Sequence, residues 1–342
     1  MSNFISSERL DIYEHHLKVT SSQVLAAYHW NKALSGALLP ALQCLEVTLR
    51  NAIDQAIQSN PPSGSNGLYS TNRNWVFSLP EYKGRSVIRN SQRYKRVANP
   101  RPHQQVDAHN FLLDNYGHRV IQKRIWEEDQ VRNAKRRIKT AGKVVNANRV
   151  ISGLDFGFWT NLLSDKYEDT SSNSLLWPNL LPIIFPNAPQ GSTRQDIENK
   201  FTKIRELRNR LSHHEAIWKF HYDCPQTGKT DYQRPVYGKQ ASCNLLLKHY
   251  EDILTIIEWI DIDRKAVFLE HKTHSRFMSL CSIDGLNSFI EPEKIELNVP
   301  SSKGGWAMKK VLKALDKSSL IRVTRQGDTI FTIGADILIE HQ

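Results

Sequence analysis

Cysteine is scarce in this chain. Its 342 residues hold four, at Cys44, Cys224, Cys243 and Cys281, and no two stand at Cys-x-x-Cys spacing. That excludes a disulfide framework as the main staple and argues against a thiolate zinc site. Long apolar runs are also lacking. None approaches the ~18 residues that a bilayer span needs, and Met-Ser-Asn-Phe-Ile-Ser-Ser-Glu-Arg at the start has no basic-then-apolar layout of a secretory signal. The expected setting is a reducing cytoplasm, without membrane attachment. Lys303-Gly-Gly does not follow the Gly-x4-Gly-Lys-Ser/Thr order of a phosphate-binding loop, and no Gly-x-Ser-x-Gly elbow occurs. His15-His16 has no partner at metal-ligand spacing and reads as surface. No metal and no cofactor are expected. Fixed-period repeats and low-complexity tracts are absent.

A packed core is within reach, because 39% of the residues are hydrophobic and 24% charged. The length suggests two domains, or one large domain with an appendage. Lys plus Arg total 46 against 35 Asp plus Glu, a net charge of +11. Residues 81–150 hold 17 of the cations and 6 of the anions, so the whole excess sits in this one segment. Such an asymmetry points to a polyanionic partner. A helix is expected over 117–142. On it Arg132, Arg136 and Lys139 share a face flanked by Lys135 and Arg137, a candidate RNA-binding surface. The plainer reading is a solvated helix eased by pairs such as Glu128–Arg132. Tyr82, Tyr94, Tyr116 and Trp126 are interleaved and could stack on bases or pack in a core.

Periodicity is mostly helical. Leu34, Leu38, Leu42, Leu45, Leu49, Ile53 and Ala56 recur at threes and fours, with a kink or restart expected at Pro40. Residues 59–74 read as a loop. Ser192 and Gln195 fit a capping box ahead of a helix whose stripe is Ile197, Phe201, Ile204, Leu207, Leu211 and Trp218. Pro and Gly break the pattern over 223–240, and Leu246, Tyr250, Ile253, Ile257 and Ile260 mark another amphipathic helix. Beyond 265 the character changes. Residues 305–317 suggest a helix with Met308, Val311, Leu312 and Leu315 inside, and Leu320–Thr324 and Thr329–Ile333 flank a turn as a β-hairpin.

The informative stretch is 205–218, Arg-Glu-Leu-Arg-Asn-Arg-Leu-Ser-His-His-Glu-Ala-Ile-Trp. On a helix Asn209 and His213 are i,i+4, with Arg208 beside them. RNA cleavage without a metal needs a group that moves protons near neutral pH and a cation for the phosphoryl charge. His and Arg are those side chains. His214 falls on the apolar stripe and reads as a buried, hydrogen-bonded histidine rather than a catalytic one. Glu215 is a candidate to orient His or Arg. Glu46 and Arg50 read as an intrahelical ion pair or as more distant support. Arg50-Asn51 has no His within six residues and is not a second copy of the motif.

Arg208-Asn209-x3-His213-His214-Glu215, followed by Ile217-Trp218, resembles the signature of the Abi-like (abortive infection) family of bacterial HEPN-domain proteins. Tyr28-His-Trp-Asn through Leu42-Gln-Cys-Leu-Glu-Val-Thr-Leu-Arg-Asn-Ala-Ile-Asp is similar to that family's first long helix, and Gly157-Phe-Trp-Thr-Asn-Leu-Leu-Ser to its Gly-Phe-Trp segment. The resemblance runs over about 20–265. It implies a mainly all-α fold, a HEPN-type helical bundle over 1–265 with a basic insertion at 81–150; the resemblance does not reach 266–342, where the helix and hairpin patterns themselves suggest a small α+β region. It also implies an antiphage endoribonuclease working as a homodimer, with Arg208, Asn209 and His213 catalytic at the subunit interface. The alternative is a non-catalytic protein that holds a structured small non-coding RNA.

Overall fold

A computed structural model describes residues 5–60, 73–77, 79, 93–169, 175–228, 230–291, 293–296, 304–315, 320–325 and 328–334. The chain is mainly helical and folds as two compact units, residues 1–45 with 203–342 and residues 46–202. The expected loop at 59–74 and Tyr82 lie largely or wholly outside the described residues.

The first unit opens with α1 (Ser7–Ile12), which tightens into one π-helical turn, Tyr13–Leu17. Helix α2 (Val24–Ser59) follows and continues into the second unit. Its predicted stripe, Leu34 through Ala56, is buried throughout. The restart expected at Pro40 does not occur; one helix runs through it. A proline ring crowds the carbonyl four residues back. That residue is Gly36, where even an added Cβ would meet nothing, so the backbone has room to adjust.

The second unit holds α3 (Trp126–Thr140), α4 (Ala147–Ser152), α5 (Phe156–Asn161), α6 (Leu181–Ile184) and the start of α7 (Arg194–Ser212). Buried Asp54 on α2 accepts from Trp75 Nε1 at 2.8 Å and from Arg73 Nε at 2.7 Å. Trp75 meets Trp159 edge to face at 6.4 Å. The Gly-Phe-Trp segment is therefore structural. Asp155 caps α5 through the Phe158 N–H at 2.9 Å, and a Cβ on Gly157 would come within 3.3 Å of that capping oxygen. Phe158 and Trp159 are both buried.

Helix α3 begins at Trp126, nine residues later than the sequence suggests. The Glu128 carboxylate fixes that start. It accepts the Ile125 N–H at 3.1 Å and both arms of the buried Arg93 guanidinium, at 2.6 and 2.8 Å. Upstream, Asp114 accepts the N–H groups of Tyr116 and His118, and Gly117 takes φ +79°, which closes a turn instead of a helix. Tyr94 packs edge to face on Phe111 at 6.0 Å, and Arg119 lies 4.5 Å over the Phe111 ring. Tyr116, by contrast, is 85% exposed, and Trp126 is exposed as well.

After α7 come strands β1 (His221–Asp223) and β2 (Thr230–Pro235), an antiparallel ribbon where only a loop was expected. Helix α8 (Lys239–Ile260) buries Leu246, Tyr250, Ile253, Ile257 and Ile260 as its spacing predicts. Helices α9 (Ile262–Leu269), α10 (Lys272–Leu280) and α11 (Ile283–Ile290) follow. Trp30 on α2 donates to the Leu280 carbonyl at 2.8 Å. The chain closes with β3 (Glu293–Glu296), α12 (Gly304–Leu315), β4 (Leu320–Arg325) and β5 (Asp328–Gly334). The expected hairpin is β4–β5, and β3 joins it by pairing in parallel with β4. On α12 Val311 is buried, but Leu312 is exposed rather than inside.

Candidate functional site

Helix α7 starts one residue away from the expected box. Thr193 caps it: its hydroxyl accepts the Asp196 N–H, and the Asp196 carboxylate accepts the Thr193 N–H at 2.9 Å. From there Ile197, Phe201, Ile204 and Leu207 point inward. The opposite side carries the motif. Arg208 is half-buried, and Asn209 and His213 are exposed. The His213 N–H donates to the Asn209 carbonyl at 2.9 Å, so the i,i+4 relation of the pair holds although regular helix ends at Ser212. Ser212 Oγ donates to the Arg208 carbonyl at 3.0 Å. Among the described residues, the Arg208 guanidinium meets no carboxylate or carbonyl.

His214 departs from the expectation. It is exposed, and its φ is +56°. Its N–H donates to the Leu211 carbonyl at 3.1 Å, and the Glu215 N–H donates to the Arg210 carbonyl at 2.9 Å. These two bonds are a Schellman closure, with His214 at the left-handed position usually held by glycine. The reversal carries the side chain off the stripe that a continuing helix would have given it. Ala216, Ile217 and Trp218 return to the core in its place. A non-glycine residue costs about 1 kcal/mol or more in this conformation. His214→Gly should therefore raise stability by about 1 kcal/mol in denaturant unfolding, with no cavity to set against it. A loss of stability would show that the imidazole makes a stabilising contact.

The segment past the turn is fixed from the other end of the first unit. Asn31 on α2 is 1% exposed. Its Nδ2 donates to the Glu215 carbonyl and its Oδ1 accepts the Ile217 N–H, both at 3.1 Å. One amide thus satisfies a buried N–H and a part-buried carbonyl and sets where the chain leaves His213. Sequence reasoning gave Asn31 no role, although a signal was there. It stands between Ala27 and Leu34 on the buried stripe, where a polar side chain needs a partner. Trp218 lies beneath this segment, fully buried, edge to face with Tyr13 at 5.1 Å.

The remaining candidates are placed as follows. Glu215 is exposed; it is its backbone that is engaged. Glu46 and Arg50 are half-buried on the part of α2 that belongs to the second unit. Arg132, Arg136, Arg137 and Lys139 are exposed on α3 and Lys135 is half-buried. Three of these five have intramolecular work. Arg137 donates to the Gly153 carbonyl at 2.8 Å, and Lys135 Nζ stands 3.9 Å over the Phe77 ring. Burial, and then Lys139, hold the Lys135 pKa below its ordinary value. Arg132 pairs with Asp129 at 3.3 Å rather than with Glu128, which is held by Arg93. Among the described residues, no three His, Cys, Asp or Glu side chains are grouped to hold a metal ion, and no helix is long and apolar enough to cross a membrane.

The profile of one protein family, described as Abi-like protein, matches residues 2–219. The match spans α2, the Gly-Phe-Trp segment and the whole of 205–218, and stops before the β1–β2 ribbon. No curated protein and no solved structure showed significant similarity to the chain. With well over half of its length matched, and with all three stretches that carry the resemblance inside the match, the chain belongs to the Abi-like family of abortive-infection proteins.

Proposed function

We propose that this defence protein is a metal-independent endoribonuclease of HEPN type, with Arg208, Asn209 and His213 as its reacting group. The observation that carries the reading is the end of α7. A planar cation, an amide and an imidazole stand on adjacent turns, with Asn209 and His213 open to solvent while the helix's apolar residues are buried. The chemistry is transesterification. A base takes the proton of a ribose 2′-OH, the oxygen attacks phosphorus, and the 5′-oxygen leaves with a proton from an acid. Arg208 suits the phosphoryl charge because its fork meets two oxygens at once. Asn209 suits orientation of the phosphate or of the imidazole.

The strip that carries Arg208 and Asn209 offers one imidazole, His213, whereas the reaction needs a base and an acid. A two-fold homodimer that brings two copies of Arg208 and His213 together supplies both. Light scattering beside a cleavage assay tests it. A dimer at micromolar concentration, with cleavage lost on dilution to monomer, is expected. A monomer that cleaves RNA at full rate would overturn the composite site.

A second expectation concerns α3. Arg132, Arg136 and Lys139 lie on its solvent side, the arrangement that suits tracking of a phosphate backbone. Replacing all three with Gln should weaken RNA binding for every sequence and flatten its salt dependence by about 2 units of slope, at ~0.7 per phosphate for single strands. An unchanged slope would remove α3 from the interface. Binding without any cleavage by the wild type would favour the reading of a protein that only holds RNA.

A further inference from the structure

Outside the motif, the first unit gathers a second set of titratable and aromatic groups around the β1–β2 ribbon. His16 belongs to the π-helical turn Tyr13–Leu17, and Lys18, which closes that turn, has φ +63°. A π turn and a left-handed lysine in succession are rare geometry, and π turns are frequent at functional sites. The turn is tied to the ribbon's far end: the Gly238 N–H donates to the His16 carbonyl at 2.7 Å. The expected surface position of His16 is thus corrected. It is half-buried, and Tyr237 stacks on it at 5.1 Å and 16°. Lys18 Nζ lies 5.3 Å from the centre of the Tyr237 ring. From the ribbon, His221 meets Tyr232 at 5.2 Å. The rings remain open outward, Tyr232 at 68% and Tyr237 at 52% exposure.

The two histidines are unusual in a further respect. The Nδ1 atoms of His16 and His221 are buried and, among the described residues, have no hydrogen-bond partner. Burial and then Lys219 and His221 hold the His16 pKa below its ordinary value, with a smaller push from His15 and an opposing bond at the Val236 backbone. Burial, Arg210 and Lys219 do the same to His221, against a weak opposite pull from Asp231. Arg210 is itself fixed by donating to the Lys219 carbonyl, with its guanidinium 5.5 Å over Phe220. The patch therefore combines cations, two half-buried imidazoles and two exposed tyrosines. An anion placed there meets Lys18 and Lys219 and gives both imidazoles a reason to take up protons.

We propose that His16, Lys18, Lys219, His221, Tyr232 and Tyr237 form a binding subsite for single-stranded RNA, with bases stacked on the two tyrosines and a phosphodiester held by the lysines and imidazoles. The inference rests on the RNA reading above and names the form of RNA. Exposed ring faces stack on unpaired bases and tolerate any sequence; in a duplex the base faces are already covered. His221 and both tyrosines lie beyond the family match, whereas His16, Lys18 and Lys219 lie within it.

The test is fluorescence anisotropy with a labelled 12-nucleotide oligo(U) and with a 12-base-pair RNA duplex, repeated from pH 5.5 to 8. Tyr232→Ala with Tyr237→Ala should weaken oligo(U) binding about tenfold or more and leave duplex binding unchanged. Tyr232→Phe with Tyr237→Phe should restore it, because the ring is kept. Free His16 and His221 titrate below the ordinary ~6.5, and a bound phosphate raises them. Binding should therefore take up protons, and affinity should fall as pH rises through the raised values. In a His213→Ala background, His16→Gln with His221→Gln should remove that pH dependence. Equal losses for oligo(U) and duplex, an unchanged affinity in the alanine pair, or no oligo(U) binding by the wild type would overturn the subsite. If the wild type binds oligo(U) through these rings but never cuts it, the subsite stands and the nuclease reading falls. If it cuts while the alanine pair keeps an unchanged KM, the nuclease stands and the subsite falls.

Discussion

Replacing His213 with alanine is expected to lower RNA cleavage by about 10²–10⁴-fold, the usual contribution of a positioned proton-transfer group, with the melting temperature unchanged. The second half of that statement comes from the fold. His213 is exposed and lies one residue beyond the regular end of α7, and among the described residues only its backbone is engaged, through the Asn209 carbonyl. Truncating it leaves no cavity and orphans no buried partner, so the change belongs with surface substitutions that stay within about 0.5 kcal/mol. Arg208→Lys should also be severe for cleavage, since a point charge cannot take two phosphate oxygens as the guanidinium fork does. The measurement is a thermal melt beside a single-turnover cleavage assay for each variant, with RNA affinity measured separately. Retained cleavage in His213→Ala would remove the imidazole from the chemistry. Lost cleavage together with a lowered melting temperature would mean that the side chain supports the fold instead.

Asn31→Ala should cost roughly 3–5 kcal/mol, the largest stability effect predicted for a single polar side chain here. The buried Ile217 N–H and the part-buried Glu215 carbonyl both lose the Asn31 amide as a hydrogen-bond partner. Each orphaned group costs about 1–3 kcal/mol, and the Asn31 side chain is itself 1% exposed, so water does not readily take its place at Ile217. Against a total of about 5–15 kcal/mol for a typical domain, a loss of that size leaves the protein marginal. The same change should loosen the exit from α7, so the residual folded protein should cleave poorly even where Arg208, Asn209 and His213 are intact. Asn31→Asp separates the two contacts. It keeps an acceptor for Ile217 but sets a carboxylate against the Glu215 carbonyl, and should also destabilise. Urea unfolding decides the matter, and a midpoint within experimental error of the wild type for Asn31→Ala would show that the clamp is dispensable.

Local rules carried the sequence reading far in some places. Apolar residues at threes and fours placed α2 and α8 and identified which of their side chains are buried, because helical periodicity is a property of neighbours. The same holds for the terminal hairpin, where alternating β-formers flank a turn. Asn209 and His213 sit four residues apart on one strip by helix geometry alone, and no distant contact is needed to bring them together.

What failed was termination and long-range pairing. The sequence offers no glycine after Ser212, so a continuing helix and a buried His214 were the local expectation; the chain instead turns through His214 itself, because Asn31, 184 residues from Glu215, holds the segment beyond. The start of α3 was misplaced for the same reason. Its limit is set by Glu128 meeting Arg93 across 35 residues, an ion pair with no signature in the local pattern. His16 reads as a surface histidine in the sequence and His221 carries no signal there; only the packing of the π turn against the ribbon makes them neighbours. Periodicity, and with it the buried face of each long helix, was thus determined by the sequence alone. Where a helix stops, and which distant polar groups come to share one surface, was decided by tertiary structure, since buried hydrogen bonds and charges must be paired wherever in the chain their partners lie.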